Sequence, residues 1–199
     1  MGRKALDRER KQLSKKAEAW VKELFYKVQY EKLDALTLDD LAALIQKSKS
    51  TIYTYFKTKE ELYATMVGMV LKDLEEVVFE ELPADADLVL LYESILLKIS
   101  DSVEGISIYF LEEIQTNFPQ IWNQIRKTTN QILSTFSMIY TKGMQTGVFA
   151  KFNVTLLLAM DNTFIMNIMT DHRHFKEENL SLKDIVHQYL KLRINALTT

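Results

Sequence analysis

The sequence predicts an all-α fold: a compact three-helix head at the amino terminus, followed by a longer run of helices. Three observations carry that prediction. Apolar residues recur at steps of three and four through most of the chain, the spacing that lines one face of a 3.6-residue helix. Ser, Thr and Asp side chains able to cap a helix start precede those runs. Only 5 glycines and 2 prolines punctuate 199 residues, too few for the many sharp turns of a sandwich or barrel.

Leu13, Ala17, Trp20, Val21, Leu24, Phe25 and Val28 form the first apolar stripe, backed by Lys, Arg and Glu. After the irregular link "QYEKLDAL", Thr37 and Asp40 make a capping box that opens a short helix over Leu38, Leu41, Ala42 and Ile45. Ser48 caps the next segment, Lys49 to Phe56, after a turn of only "QKS". Thr58 and Glu61 form another box, opening a helix that runs from about 59 to 82, where Pro83 closes it. Further helical patterns follow at about 87–102, 106–117, 119–146, 153–172 and 181–197, the last opened by Ser181 and Asp184. Gly68 inside the fourth helix costs about 1 kcal/mol relative to Ala and is read as a point of close helix packing.

With 47% hydrophobic residues the chain can bury a real core. It has no Cys, which removes disulfides, thiol nucleophiles and thiolate metal sites, and fits a cytoplasmic location. The start, "MGRKALDRERKQLSKKAEAW", lacks the apolar run of a signal peptide. "VTLLLAMDNTFIMNIM" is too short for a bilayer and holds Asp161 and Asn162 in its middle, so a buried or interfacial helix is expected and no membrane partner. Residues 1–60 carry 14 Lys and Arg against 9 Asp and Glu, a balance of +5, whereas the remainder has 11 against 18, or −7. A basic part beside an acidic one points to a polyanion as partner of the first; a solvated helix face is the plainer alternative.

The head has the pattern of a helix-turn-helix, in which one helix braces a second that lies in the DNA major groove. Leu41, Ala42, Ile45, Ile52 and Phe56 supply an apolar underside, while Lys49, Ser50, Tyr53 and Thr54 fall on the outer face as two i, i+4 pairs. Such a face offers donors to base edges and a ring for stacking or methyl contact. At these residues "TLDDLAALIQKSKSTIYTYFKTKEELY" resembles the DNA-binding signature of the TetR family of bacterial transcriptional regulators, most closely over Tyr53-x-Tyr55-Phe56-x-x-Lys59-Glu60-Glu61-Leu62. The match is close over residues 37–63, looser through 13–28 and weaker beyond, where "NFPQIWNQI" and "GMQTGVF" are similar to segments of the family's regulatory domain.

The resemblance implies a DNA-binding head at 1–63 and a ligand-binding and dimerisation domain at 64–199, with the fourth helix joining them. It implies a repressor that binds a pseudo-palindromic double-stranded DNA operator as a homodimer through its last two helices and is released by a small-molecule effector, with no enzymatic activity and no cofactor. Lys49, Ser50, Tyr53 and Thr54 would face bases. Thr37, Ser48, Thr51, Tyr55 and Lys59 would grip phosphates, Lys59 near the amino-terminal end of the fourth helix. The chain departs from the family pattern at Gln46, where a glycine is usual, at Lys47, where a small apolar residue is usual, and at Ser50, another common glycine. A left-handed residue with a Cβ costs about 1 kcal/mol, so the turn is expected to be tighter, rerouted or mildly strained. The link from Gln29 to Leu36 is longer than usual and leaves open the angle between the first two helices.

For the carboxy-terminal part, Tyr92, Tyr109, Phe110, Trp122, Phe136 and Met138 are candidate walls of a cavity for a hydrophobic effector; plain core is the competing reading of each. Ile185, Tyr189, Leu192 and Ala196 share a stripe that suits a dimeric four-helix interface. Asp171, His172 and His174 lie in a polar turn with His spacing unsuited to one helix face, so no metal site is expected. No Glu-x-x-His pair, glycine-rich phosphate loop, G-x-S-x-G elbow or H-E-x-x-H site exists. The rival from another class is an all-α small-molecule-binding protein or enzyme that makes no DNA contact; it predicts that no operator exists.

Overall fold

A computed structural model describes residues 11–170 and 180–198, and among these it holds nine helices and no strand. The head comprises α1 (Lys15–Lys27), α2 (Leu38–Leu44) and α3 (Lys49–Tyr55); α4 (Lys59–Glu75) leads out of it. Behind these come α5 (Leu88–Ser102), α6 (Ile108–Asn117), α7 (Pro119–Thr146), α8 (Val154–Thr170) and α9 (Leu182–Thr198). The Asp171, His172 and His174 trio lies outside the described residues.

The caps read from the sequence form. Thr37 accepts from the Asp40 amide while the Asp40 carboxylate accepts from the Thr37 amide, a closed capping box. Ser48, Thr58, Asp87, Ser107 and Ser181 each accept from an amide of the first turn they precede. Pro119 starts α7, where its missing N–H costs nothing.

The helix expected to reach residue 82 ends at Glu75 instead. Asp73, Glu75 and Glu76 pile negative charge on the carboxyl end, where the helix dipole is already negative. The chain then turns, buries Val77, and passes the Phe79 amide to Thr135 Oγ1 at 3.0 Å.

Two buried clusters make up the core. One runs without a break from the head (Val21, Leu24, Ile52, Phe56, Leu62) into α6, the first half of α7 and the start of α9. Complete burial of side chains such as Leu24 and Ile52 is worth about 1.5–3 kcal/mol each. The other joins Leu74 and Val77 to α5, the second half of α7 and the end of α9. The α1–α2 link is plugged by Leu33, fully buried, whose carbonyl accepts from the Tyr63 hydroxyl at 3.2 Å. That plug ties the link to α4.

Gly143 and Gly68 differ. A Cβ on Gly143 would lie 2.1 Å from the Phe149 ring, which folds back against α7 with its amide on the Gly143 carbonyl at 3.0 Å. A Cβ on Gly68 would meet nothing within 4 Å, so the close packing expected there is absent.

Candidate nucleic-acid interface and interior cavity

Gln46 takes the left-handed conformation in the turn between α2 and α3. Its φ is 53°, the one positive φ outside glycine among the described residues. The Gln46 amide donates to the Ala43 carbonyl at 3.0 Å and the Lys47 amide to the Ala42 carbonyl at 2.9 Å. This is the Schellman arrangement, with Gln46 in the position that glycine normally fills. The turn keeps the usual route and carries the strain in one residue.

The turn sets α3 with Ile52 and Phe56 buried beneath it. Lys49, Ser50 and Tyr53 are exposed on the outside, with Thr54 half-buried beside them. Lys49 pairs with Asp39 of α2, and that hydrogen bond lifts the lysine above its ordinary pKa. Ser50 Oγ lies 2.9 Å from Ser48 Oγ, and the Thr54 hydroxyl donates to the Ser50 carbonyl at 2.7 Å. The base-reading candidates therefore share one solvent-facing surface with a carboxylate at its edge.

The phosphate candidates are more dispersed in role. Thr37 and Ser48 are helix caps on the exposed rim, and the Thr51 hydroxyl lies 2.8 Å from Ser48 Oγ. Tyr55 is half-buried, its ring edge-on to Trp20 of α1 at 5.9 Å. Lys59 bends back to the link before α2, donating to the Asp34 carbonyl and, at 3.4 Å, to the Leu33 carbonyl, with its ammonium 5.9 Å from the Phe118 ring. In this arrangement it staples α4 to the head.

A cavity of about 150 Å³ lies in the carboxy-terminal part, walled by α4 to α9 and by Phe25 from α1. Of the candidate wall residues, Tyr92, Phe110 and Phe136 line it. Trp122 and Met138 do not: Trp122 is buried in the first cluster and Met138 is half-buried elsewhere on α7. Tyr109 faces a separate surface groove beside Tyr30 and Leu180.

Sequence reasoning missed the polar group of the cavity wall. Asp161 of α8, 2% exposed, accepts from the Tyr140 hydroxyl at 2.8 Å and the Tyr189 hydroxyl at 2.6 Å, and its Oδ1 lies 2.9 Å from Arg193 Nε. Tyr92 and Tyr140 meet hydroxyl to hydroxyl at 2.9 Å. Burial is the largest influence on the Arg193 charge and opposes it, but Asp161 together with Tyr140 and Tyr189 holds the arginine above its ordinary pKa. The signal available was a lone Asp in an apolar helix; its partner Arg193 sits on another helix, far along the sequence. Ile185 and Tyr189 turn inward with this group, whereas Leu192 is 68% exposed and Ala196 is exposed, so the expected stripe on α9 divides.

The head connects directly to this region. Gln29, 3% exposed at the end of α1, accepts from the Ser107 amide at 2.7 Å, and its carbonyl accepts from the Ser107 hydroxyl. Phe25 packs edge-on against Phe110 of α6 at 5.3 Å.

Residues 31–66 match the family model of bacterial regulatory proteins, tetR family. The whole fold is similar to that of a TetR-family regulator, PfmR, from Thermus thermophilus (TM-score 0.64, 17% identity, covering 94% of this chain and 100% of that one). It is also similar to a TetR-family regulator from Marinobacter aquaeolei VT8 (TM-score 0.69, 17% identity, 94% and 92% covered). A third similar fold is the regulator FadR of Bacillus subtilis in complex with stearoyl-CoA (TM-score 0.61, 17% identity, 90% and 98% covered). No curated protein matches the chain.

Proposed function

Taking the chain as a TetR-family transcriptional regulator by its head and its fold, we propose that it represses by binding a pseudo-palindromic operator as a homodimer and leaves that operator when a small, largely apolar effector fills the interior cavity. The observation that carries this reading is α3, whose buried Ile52 and Phe56 hold Lys49, Ser50 and Tyr53 outward on one surface. Lys49, Ser50, Tyr53 and Thr54 read bases; Thr37, Ser48, Thr51 and Tyr55 contact phosphates, and Lys59 joins them by leaving the link. Residues 1–63 act as the DNA-binding head and 64–199 as the effector-binding and dimerisation domain.

Apolar side chains left exposed on the last two helices support dimerisation there: Leu156 and Met160 on α8 are 60% and 51% exposed, and Leu192 on α9 is exposed as well. A twofold dimer reads two half-sites one helical turn apart, which a single head cannot do. Release requires that the effector prefer the conformation unfit for DNA; moving a population from 1:99 to 99:1 takes about 5.5 kcal/mol of differential binding.

Selection from a random DNA pool at physiological salt tests the reading. It should enrich an inverted repeat, and Lys49→Ala or Tyr53→Ala should each weaken binding roughly ten- to hundredfold and relax base preference. A pool with no enriched motif favours the rival, a helical small-molecule-binding protein or enzyme without DNA contact.

A further inference from the structure

We infer that the interior cavity takes a compact, uncharged, mostly apolar molecule carrying one hydrogen-bond donor, such as a small phenol or alcohol, and rejects carboxylates and long acyl thioesters. This rests on the reading of the cavity as the effector site. The wall's own supply of protons dictates that preference.

A carboxylate accepts and cannot donate. The single hydroxyl proton of Tyr140 is therefore committed to Asp161 Oδ2, and that of Tyr189 to Asp161 Oδ1. Tyr140 has no second proton, so in its contact with Tyr92 it accepts and Tyr92 donates. Every tyrosine proton in the group is therefore spent, two on Asp161 and one on Tyr140. Thr129 likewise spends its proton on the Ile125 carbonyl at 3.0 Å.

Tyr92, Tyr189, Thr129 and Asp161 all line the cavity. What they have left to offer is lone pairs. Thr128 is the remaining polar side chain of the wall, and its hydroxyl can turn either way. A ligand that donates finds only acceptors in the small polar part of an otherwise apolar wall. One that only accepts is unmatched at the tyrosines, and buried unmatched polar groups are costly.

Charge narrows the class further. Asp161 faces Arg193, which lies behind the wall and not in it, so the pair is close to neutral as a unit. An anion entering would lose its water and face a carboxylate with the nearest cation already paired. A cation would lose its water among walls that are otherwise Phe, Ile, Leu and Val. Size sets the last limit: an apolar cavity of about 150 Å³ accommodates a molecule the size of benzene, and the cavity here has that volume.

The test is a calorimetric titration of the intact wild-type protein with 4-ethylphenol, its methyl ether 4-ethylanisole, 4-ethylbenzoate and stearoyl-CoA. The phenol and the ether differ in the donor and by one methyl group; a pure size effect would leave their ratio unchanged in the Tyr189 variant below. The expected result is that 4-ethylphenol binds at least about tenfold more tightly than 4-ethylanisole, with no binding of the benzoate or the thioester. Tyr189→Phe, which keeps the ring stacked on Phe164, removes a donor to Asp161 Oδ1 and should widen the phenol-to-ether ratio by about threefold or more while thermal unfolding stays cooperative. Equal affinity for phenol and ether, tighter binding of the benzoate or thioester, or no binding of 4-ethylphenol overturns the inference. A separate measurement of release from selected DNA distinguishes the readings: phenol binding without release leaves the ligand class standing and removes the cavity's role as effector site.

Discussion

At the scale of single residues, local backbone chemistry was legible where it depends on neighbours in sequence. Gln46 stands where a left-handed residue is required, and it adopts φ 53°. Gln46→Gly should therefore stabilise the protein by about 0.5 kcal/mol, the cost of a Cβ in that region less the extra freedom glycine has when unfolded. The check is a urea unfolding midpoint; an unchanged or lower midpoint contradicts the strain. Gly68 shows the limit of the same reasoning. Its helix cost was visible in the sequence, but the space around it was not, because nothing local specifies what packs on that face. With no atom within 4 Å of the missing Cβ, Gly68→Ala should raise stability by roughly 0.5–1 kcal/mol through helix propensity alone. Loss of stability in thermal unfolding would show that α4 meets a neighbour there.

At the scale of elements, capped starts and apolar stripes specify where helices begin and which face is buried, since caps and periodicity act over three or four residues. Ends without a cap signal were harder: α4 stops at Glu75 through repulsion and tertiary capture of Phe79 by Thr135, not through Pro83. Lys59 illustrates a side chain whose role depends on an element far from it. Its bonds to the carbonyls of Leu33 and Asp34 hold the α1–α2 link against the start of α4. Lys59→Ala should therefore lower stability by about 1 kcal/mol as well as weaken DNA binding across all sequences. Paired measurements of unfolding and of salt-dependent DNA affinity check it. A DNA effect without any stability loss would mean the link contacts contribute nothing.

At the scale of the whole molecule, the aromatic composition of the second half announced a cavity or core, while its polar centre depended on Asp161 and Arg193 meeting across helices α8 and α9. That centre leaves a pH signature. Burial pushes Tyr92 up to about 12, and burial together with Asp161 drives Tyr140 and Tyr189 higher still. Below pH 10 all are neutral in both folded and unfolded chains. As pH rises past 10, the unfolded chain releases tyrosine protons that the folded one retains, so stability falls by up to about 1.4 kcal/mol per pH unit for each of Tyr92 and Tyr140. Urea midpoints at about pH 8, 10 and 11 check this, and a flat profile between the last two contradicts it.

If the proposed function holds, the same scale carries a route from cavity to DNA. Phe25 lines the cavity and belongs to α1 of the head, and four residues on, Gln29 is hydrogen-bonded to Ser107, the cap of α6, whose Phe110 lines the same cavity. A ligand pressing on Phe25 and Phe110 thus bears on both sides of one hydrogen-bonded joint. Coupling between two sites is a free energy, and a single intervening residue commonly modulates it by about 0.5–2 kcal/mol. Gln29→Ala removes the acceptor of the Ser107 amide and the donor to the Phe25 carbonyl while leaving every side chain of the proposed DNA-facing surface and of the cavity wall in place. DNA affinity without effector and effector affinity without DNA should each stay within about threefold of wild type. The ratio of DNA dissociation constants with and without saturating effector should fall by roughly three- to thirtyfold. A ratio equal to that of wild type would mean that the signal reaches the head through α4 alone.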